Sequence, residues 1–344
     1  MKIHFLQEVY PGIFRITERG ALGMLKPPVN IYVITGKNGL VFDAGYGDGS
    51  SIRKFIRAYK EINRICRDRG VENNIDRILL SHSHADHFSG LKKLRKRLGF
   101  RVIISHEMKK IISSSRVYRE SYTPAEKKIK RTITCNLSYL IKIIFQKIEF
   151  MIYSLYWGIS FIDDPDILIE SEASIIINDE EWEIFSSPGH SVEHITLYNK
   201  DKGILFSGDN VMKSINVWLG PPKSDLDQYK NSLKKMLNLK GLKIILPAHG
   251  SPIFKPYERL NEIIEWRKKR TDDILQLLKD SFPEGVTIPE ILERLYPSDS
   301  RMKKEFASGW VELTLKKLEK EKKIIRGKDH YFYNSGHNTI INYE

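Results

Sequence analysis

Residues 81–88, SHSHADHF, hold four side chains of the types that bind metal ions. They are His82, His84, Asp86 and His87, which fall within six positions. The apolar segment IDRILL at 75–80 precedes them and predicts a short buried strand. Neutral imidazole and carboxylate are good ligands for zinc and similar divalent ions. The stretch therefore predicts one part of a metal site at the end of a strand, with further ligands elsewhere in the chain.

Three more candidate ligands also follow apolar, strand-like segments. His190 lies in SSPGHS after EWEIF, Asp209 lies in LFSGDN after GIL, and His249 lies in LPAHG after KII. In a layered sheet fold, the ends of such strands can meet at one rim, where loops on a rigid scaffold commonly build functional sites. We therefore expect all seven side chains to converge.

Seven ligands are enough for two divalent ions. We expect one ion to be held by His82, His84 and His190. We expect the other to be held by Asp86, His87 and His249. Asp209 can bridge both ions with its two carboxylate oxygens, and Asp86 and Asp209 are the predicted catalytic carboxylates. Zinc is the expected metal, with manganese and iron as alternatives, and a hydroxide between the ions is the expected nucleophile.

The motifs SHSHADH, PGHS, SGD and PAHG, in that order, resemble the metallo-β-lactamase fold superfamily. The resemblance covers roughly residues 8–256. It implies an α/β fold, an αββα sandwich with the metal site at the edge of its sheets. VFDAG resembles the first motif of the superfamily, which implies that Asp43 supports the metal-binding loop through hydrogen bonds. In this superfamily the bridging hydroxide attacks a carbonyl or phosphorus centre.

The C-terminal third changes to a helical pattern. From about residue 258 it predicts three helices followed by a small hairpin, IIRGKDHYFYN at 324–334, which is the order of a winged helix. PGHSVEHITLY and LFSGDNV are similar to the glyoxalase II-like branch, and the appended winged helix resembles its β-lactamase-like endoribonuclease subgroup, whose members cleave single-stranded RNA. We therefore expect a metal hydrolase domain at 1–256 and a winged-helix-like domain at 257–344.

Residues 107–165 interrupt the α/β pattern with a helical insertion that is first basic and then strongly apolar. Its longest run without a charged residue, 150–162, is thirteen residues, which is too short to span a bilayer. We interpret it as a helical insertion packed on the main body. The alternatives are a lid or apolar substrate wall, a contact in a homodimer, and a membrane-surface anchor.

Several smaller candidates have ordinary structural explanations. The tyrosines of the insertion are expected to pack, although one of them could donate a hydrogen bond to a developing oxyanion. His194 is expected to be structural, with orientation of the site as the alternative. The tyrosines in question are Tyr118, Tyr122, Tyr153 and Tyr156.

The net charge of +13 is concentrated in one third of the chain. Residues 51–150 carry a local net charge of +15, whereas residues 151–254 carry −5. Such a stretch could attract an anionic partner, but it is also typical of a solvated, lysine-rich helix face. Cys66 and Cys135 are too few for a disulfide framework. With no apolar signal-peptide core at the N-terminus, we expect a cytoplasmic protein.

Three functions follow from these patterns. The leading hypothesis is a phosphodiesterase or endoribonuclease that acts on single-stranded RNA, whose backbone the basic residues at 51–150 would hold. The second is a thioesterase or lactonase, glyoxalase II-like, with the apolar insertion forming the pocket for an acyl substrate. The third is a DNA-binding regulatory protein with a ligand-sensing metal domain. The near balance of 18 basic and 16 acidic residues at 255–344 argues against this third hypothesis.

Overall fold

The structure, a computed structural model, describes residues 3–19, 26–123, 137–214 and 216–336, with the side chains of 145 and 147–157 in the helix at 137–157. Two compact units make up the chain. The first consists of residues 1–187, 193–215 and 239–256, and the second of 188–192, 216–238 and 257–344. Cys135 and the basic stretch at 127–131, which belongs to the predicted insertion, lie outside the described residues.

Two sheets form the first unit. The seven-stranded sheet follows chain order and is antiparallel from β1 to β4 and parallel from β4 to β7. Its strands are β1 Leu6–Tyr10, β2 Ile13–Glu18, β3 Val29–Ile34, β4 Gly39–Phe42, β5 Ile75–Leu79, β6 Arg101–Ser105 and β7 Ile167–Ile169. The five-stranded sheet has the order β12-β11-β10-β9-β8, with only β11 and β12 parallel. Its strands are β8 Ala173–Ile177, β9 Glu180–Ser186, β10 Ile195–Asn199, β11 Ile204–Gly208 and β12 Ile244–Pro247.

Phe206 of β11 lies at the interface between the two sheets. The centroid of its ring lies 5.1 Å from that of Tyr32 in β3 and 5.3 Å from that of Phe42 in β4. Trp182 of β9 lies 5.7 Å away on the same sheet as Phe206. All four side chains are buried, and each such ring removes some 150–250 Å² of surface from water. This packing fixes the ends of strands from the two sheets relative to one another.

Helix α1, at Gly49–Asp68, covers one side of the first sheet. Asp48 caps it by accepting hydrogen bonds from the backbone N–H groups of Ser50 and Ser51. The helix ends just before Gly70, whose φ of 66° is in the left-handed region. Its buried side chains recur every three or four residues and are Ile52, Phe55, Ala58, Ile62 and Cys66.

The helices that follow in the first unit include those of the predicted insertion. They are α2 Ala85–Phe88, α3 Leu91–Leu98, α4 His106–Ile112, α5 Ser115–Ser121 and α6 Leu137–Trp157. Phe150, Tyr153 and Trp157 of α6 pack against the core of the first unit. The opposite side of α6 exposes Phe145, Ile148, Met151, Ile152 and Leu155. Within the described part of the chain, no helix combines the length and the apolar character needed to cross a bilayer.

The second unit is mainly helical and ends in a hairpin. Its helices are α7 Leu226–Leu237, α8 Pro256–Asp280, α9 Ile288–Leu295 and α10 Arg301–Lys320, and the hairpin strands are β13 Ile324–Arg326 and β14 Tyr331–Tyr333. Thr287 and Glu290 form a reciprocal capping box at the start of α9. Trp310 and Leu318 of α10 are buried together with Ile324 of β13. The three helices and the hairpin thus follow one another in the predicted order.

Glu18, at the end of β2, is a buried carboxyl group whose titration should control the stability of the first unit. It is 2% exposed and accepts a hydrogen bond from the backbone N–H of Tyr46. Burial raises its pKa from about 4.5 to about 8. Between these two values the folded chain holds a proton that the unfolded chain has lost. The free energy of unfolding must therefore fall as pH rises through this window.

We expect Glu18→Gln to remove this decline, because the amide stays neutral and can still accept the Tyr46 hydrogen bond. Near pH 8 the variant should be more stable than the wild type by a few kcal/mol, and near pH 4.5 the two should be similar. Urea unfolding followed by circular dichroism across this range measures the difference. Glu170→Gln, at an exposed carboxyl group, is the control. Parallel profiles for all three proteins would contradict the assignment.

Candidate metal centre

The chain turns sharply from β5 into the short helix α2 through residues 80–84. Ser81, His82 and Ser83 are fully buried. His84 has an extended backbone (φ −70°, ψ 148°), and its carbonyl accepts hydrogen bonds from the N–H groups of His87 and Phe88. Asp86 and His87 therefore lie on one turn of helix, where the sequence analysis expected a loop. The reason is local, because two hydrogen bonds to one carbonyl close the turn.

Asp43 supports this turn from the end of β4. Its Oδ1 accepts a hydrogen bond from the backbone N–H of Ser81 at 2.7 Å, and its Oδ2 accepts from the Ser81 hydroxyl at 2.9 Å. Oδ2 also lies 2.9 Å from Nδ1 of His87. The φ of Asp43 is 69°, in the left-handed region that aspartate tolerates better than most residues. Asp43 thus makes the hydrogen bonds that the resemblance implied for it.

The seven predicted ligands fall into two groups. In each group every residue offers one ligand atom, and these atoms lie within 4.8 Å of one another. The first group consists of His82, His84, His190 and Asp209. The second group consists of Asp86, His87 and His249. Apart from Asp209, which falls in the first group, the six residues are divided as the sequence analysis proposed for two ions.

The Asp209 carboxylate faces both groups. Its Oδ1 lies 3.4 Å from Nε2 of His87 and 3.3 Å from Nε2 of His249, and its Oδ2 lies 4.0 Å from Nε2 of His82. The Oδ2 of Asp86 lies 3.3 Å from the same His249 nitrogen. Two atoms bound to one zinc ion at about 2.0–2.1 Å and at a tetrahedral angle are about 3.3–3.4 Å apart. Asp86 with His249, and Asp209 with His87 and His249, therefore already have the spacing of atoms that share one zinc ion.

Hydrogen bonds through Nδ1 orient four of the candidate imidazoles. Because the Ser81 hydroxyl donates its hydrogen to Asp43, its oxygen is left to accept from His82. The rings so held are His82 by the Ser81 hydroxyl, His87 by Asp43, His190 by the Trp218 carbonyl at 2.8 Å, and His249 by the Pro28 carbonyl. A ring that donates through Nδ1 presents the lone pair of Nε2. The buried Nε2 of His87 has no hydrogen-bond partner among the described residues, as expected of a ligand atom.

Burial and charge act in opposite directions on these groups. Burial lowers the pKa of His84 to about 4, so its ring is neutral near pH 7. Burial also acts to lower the pKa of His249, but the charge of Asp209 outweighs it and raises that pKa to about 10. For Asp209, burial acts to raise the pKa, and His249 and His87 outweigh it and hold the pKa well below its usual range. The carboxylates are thus ionised and need cations, which protons on the imidazoles or bound metal ions can supply.

Glu193 is a supporting residue that the sequence analysis missed. It is 3% exposed, and its Oε1 accepts hydrogen bonds from both the hydroxyl and the backbone N–H of Ser83, the latter at 3.1 Å. Ser83 stands between His82 and His84, so Glu193 fixes the segment that carries two ligands. The contact joins residues 110 positions apart. The only local signal for it is an acidic residue next to an apolar strand.

His194 supports Asp209 from the residue before β10. Its Nε2 accepts a hydrogen bond from the backbone N–H of Asp209 at 3.2 Å. Its Nδ1 lies 2.8 Å from the Ser187 hydroxyl and 3.0 Å from the Asn210 amide nitrogen. The ring is fully buried. These contacts favour the orienting role for His194, which the sequence analysis ranked below a purely structural one.

Aromatic side chains of the insertion approach the first ligand group. The ring centroid of Tyr122 lies 5.8 Å from that of His84, and its hydroxyl lies 3.3 Å from the Ser83 hydroxyl. Tyr118 packs beside Tyr122 at 4.8 Å and reaches Phe150 of α6 at 6.2 Å. Burial raises the pKa of Tyr122 well above its ordinary value, so the phenol stays protonated. The insertion therefore places an aromatic wall beside the candidate metal centre.

The basic residues of α1 and α3 line a separate surface cavity. This open hollow of about 1100 Å³ is bordered by six cationic side chains, Arg53, Arg57, Lys60, Arg64, Arg67 and Arg97. None of the seven candidate ligands borders it. Among the described residues, this part of the positive charge at 51–150 therefore does not line the candidate metal centre.

Comparison with known proteins identifies similar sequences. The family model for the metallo-beta-lactamase superfamily matches residues 26–249. The lactamase-like protein aptB of Emericella nidulans is 23% identical over 328 residues, which cover 92% of this chain and 84% of that protein. The beta-lactamase-like protein 2 homolog of Caenorhabditis elegans is 29% identical over 154 residues, 44% of this chain and 50% of that one. The atrochrysone carboxyl ACP thioesterase of Aspergillus fumigatus is 24% identical over 164 residues, which cover 43% of this chain and 50% of that protein. The matches thus span about half the length of two of these relatives.

Solved structures share the fold. A beta-lactamase domain protein from Burkholderia ambifaria has a TM-score of 0.71 at 18% identity, with 95% of this chain and 93% of that chain covered. A metallo-beta-lactamase family protein from Thermus thermophilus has a TM-score of 0.65 at 20% identity, with 95% and 100% covered. At these identities the likeness supports the architecture alone.

Asp209 should be the residue on which both metal ions depend. We expect the purified wild type to retain two divalent ions per chain, and Asp209→Ala to retain fewer than one, because the change removes oxygens that face both groups. Metal content by inductively coupled plasma mass spectrometry after dialysis measures this. Asp201→Ala, at an exposed aspartate in the turn before β11, is the control. Equal metal content in the two variants would refute a bridging position.

Glu193→Ala should weaken metal binding without removing a ligand. We expect the affinity for zinc to fall about 10- to 100-fold, as is usual when a group that orients the ligands is lost. Competition with a chromophoric chelator measures the affinity. Glu183→Ala, on the exposed side of β9, is the matched control. An affinity equal to that of the wild type would show that Ser83 is held adequately without Glu193.

Proposed function

The chain belongs to the metallo-beta-lactamase superfamily, and on that premise we propose that it hydrolyses an ester or thioester bond in a substrate with an aromatic or apolar acyl group. A metal-dependent hydrolase is the enzyme class that the superfamily and the His/Asp cluster establish. The choice of an acyl substrate goes further than the enzyme class and is our proposal. The observation that carries it is the position of Tyr122 beside His84.

The aromatic wall suits an acyl substrate better than a polyanion. Tyr122, Tyr118 and Phe150 present ring surface next to a metal ligand, and α6 continues that surface with Tyr153 and Trp157. Apolar and aromatic linings with a few placed polar groups are typical of small-molecule sites. One relative is named as an acyl-carrier-protein thioesterase, which agrees with this choice.

Each side chain has a definable task in such a reaction. Divalent ions in the two ligand groups, which we propose to be zinc, would supply an activated water molecule and polarise the scissile carbonyl. Asp209 faces both groups, and Asp86 stands beside His249 as a further ligand of the second group. The Ser83 hydroxyl donates to Glu193, so the Tyr122 phenol donates its hydrogen to the Ser83 oxygen in this structure. Rotation of the phenol O–H away from Ser83 would direct the same hydrogen to the oxyanion that develops on the carbonyl.

Tyr122→Phe tests this role. We expect kcat on a thioester substrate to fall about 10²-fold with little change in KM, because the lost hydrogen bond acts in the transition state. Steady-state turnover of an aromatic acyl thioester measures both constants. Tyr59→Phe, whose phenol donates to the Ile75 carbonyl away from the ligands, is the control. An unchanged kcat in Tyr122→Phe would remove the phenol from the mechanism.

Single-stranded RNA is the second candidate substrate. The cationic side chains on α1 and α3 favour it, because they could hold a phosphate backbone. Parallel assays with a thioester, a lactone and a labelled RNA separate the candidates. Turnover of RNA alone, with 5′-phosphate products, would replace the acyl proposal. Products with 2′,3′-cyclic ends would argue against attack by water.

The C-terminal region is proposed to be a winged-helix-like domain at 257–344, as in the glyoxalase II-like branch with an appended winged helix. Helices α8, α9 and α10 followed by the β13–β14 hairpin support this assignment. The nearly balanced charge of the region favours a role in packing over one in binding DNA.

A further inference from the structure

A small cavity lies within the second unit, against helices α7, α8 and α10. Its volume is about 110 Å³, which is the liquid volume of about three or four water molecules. One wall is apolar and consists of Leu226, Leu233, Ile264 and Trp310. Three lysines, Lys230, Lys268 and Lys317, also border the cavity. So does Arg267 of α8, whose guanidinium is buried.

The guanidinium of Arg267 is buried with most of its hydrogen-bonding capacity unused. Its Nη2 donates to the carbonyl of Val217 at 2.6 Å. Its Nε and Nη1 atoms are buried and have no hydrogen-bond partner among the described residues, and no carboxylate of those residues lies within 4.0 Å of it. A buried charge without a counter-ion is unfavourable, and such groups are normally paired. Asp227 and Asp272 also line the cavity, but Asp227 pairs with Lys317 and neither carboxylate pairs with Arg267, so the guanidinium lacks a counter-ion among the described residues.

Arg267 cannot easily leave this position. Its guanidinium carbon lies 4.9 Å from the ring centroid of Trp266 and 5.7 Å from that of Tyr229. Cation–π contacts of this kind hold the guanidinium and leave its N–H groups available at the edges. The neighbouring Lys317 is already paired with Asp227 and Glu321. The Arg267 guanidinium is thus held in place, and its Nε and Nη1 atoms have no acceptor among the described residues.

We propose that this cavity binds a small carboxylate, whose oxygens accept hydrogen bonds from Arg267 and whose short aliphatic chain lies against the apolar wall. The apolar side of the cavity favours such a ligand over inorganic phosphate, which would leave oxygens facing hydrocarbon. The volume fits a chain of a few carbon atoms. This proposal does not depend on the substrate of the metal centre.

The occupant would act close to a metal ligand. Arg267 holds the carbonyl of Val217, and the carbonyl of the next residue, Trp218, accepts from Nδ1 of His190. Ser224 and Asp225 fix the same segment through hydrogen bonds to the carbonyls of His190 and Gly189. Arg267 therefore holds the carbonyl of the residue before Trp218, whose own carbonyl orients His190.

Isothermal titration calorimetry of the metal-loaded chain, residues 1–344, with butyrate tests the proposal, with acetate and inorganic phosphate as comparison probes. We expect saturable binding of butyrate that Arg267→Met weakens by at least about tenfold. Ile264→Phe, which fills the cavity and keeps the arginine, should abolish the same binding event. Arg270→Met is the matched control, because Arg270 lies over the same Trp266 ring at 5.6 Å but pairs with Asp273 and does not border the cavity.

Circular dichroism checks that each variant is folded, and the two cavity variants test the same site by different changes. Equal binding of butyrate by the wild type, Arg267→Met and Ile264→Phe would assign it to the metal ions or another site and overturn the proposal. Tighter binding of phosphate than of butyrate would overturn the choice of a carboxylate. The absence of saturable binding would overturn the proposal as well, because the cavity would then hold only water.

Discussion

The buried hydrogen bonds of Asp43 are the interaction on which the metal centre depends. One carboxylate holds the backbone of Ser81, its hydroxyl and the ring of His87, and it does so with a left-handed backbone at the end of β4. Through Ser81 it also sets which nitrogen of His82 faces the site. A single side chain therefore helps to position one member of each group, His82 in the first and His87 in the second. Loss of any of these contacts would leave buried polar atoms without partners, which is unfavourable in a dry interior.

The candidate ligands could be identified from the sequence because their signal is local. His82, Asp86 and His87 stand close together after an apolar strand, and His190 and His249 each follow another. The helix α1 and the order of the C-terminal helices were predictable for the same reason, since hydrophobic period and capping residues act over a few positions. The groups that hold the ligands were not predictable. Glu193 meets Ser83 across 110 residues, and no periodicity encodes such a pair.

The surface on which the positive charge lies could not be predicted from the sequence either. The local net charge of +15 at 51–150 favoured an RNA substrate, but a sum along the chain does not say which surface the charges share. Helical period places Arg53, Arg57, Lys60, Arg64 and Arg67 on one side of α1, opposite the residues that pack on the sheet. The aromatic residues of the insertion, which carried less weight in the sequence, stand beside His84. The position of a charge thus matters more for substrate choice than its amount.

His190 depends on a different part of the chain from the other ligands. Trp218, Ser224 and Asp225 hold the backbone of the segment 188–192 and the imidazole of His190. Arg267 of α8 holds Val217, the residue before Trp218. A chain of hydrogen bonds therefore runs from a C-terminal helix to a metal ligand. Because each bond positions the next, a change at Arg267 can alter the orientation of His190 without touching any ligand.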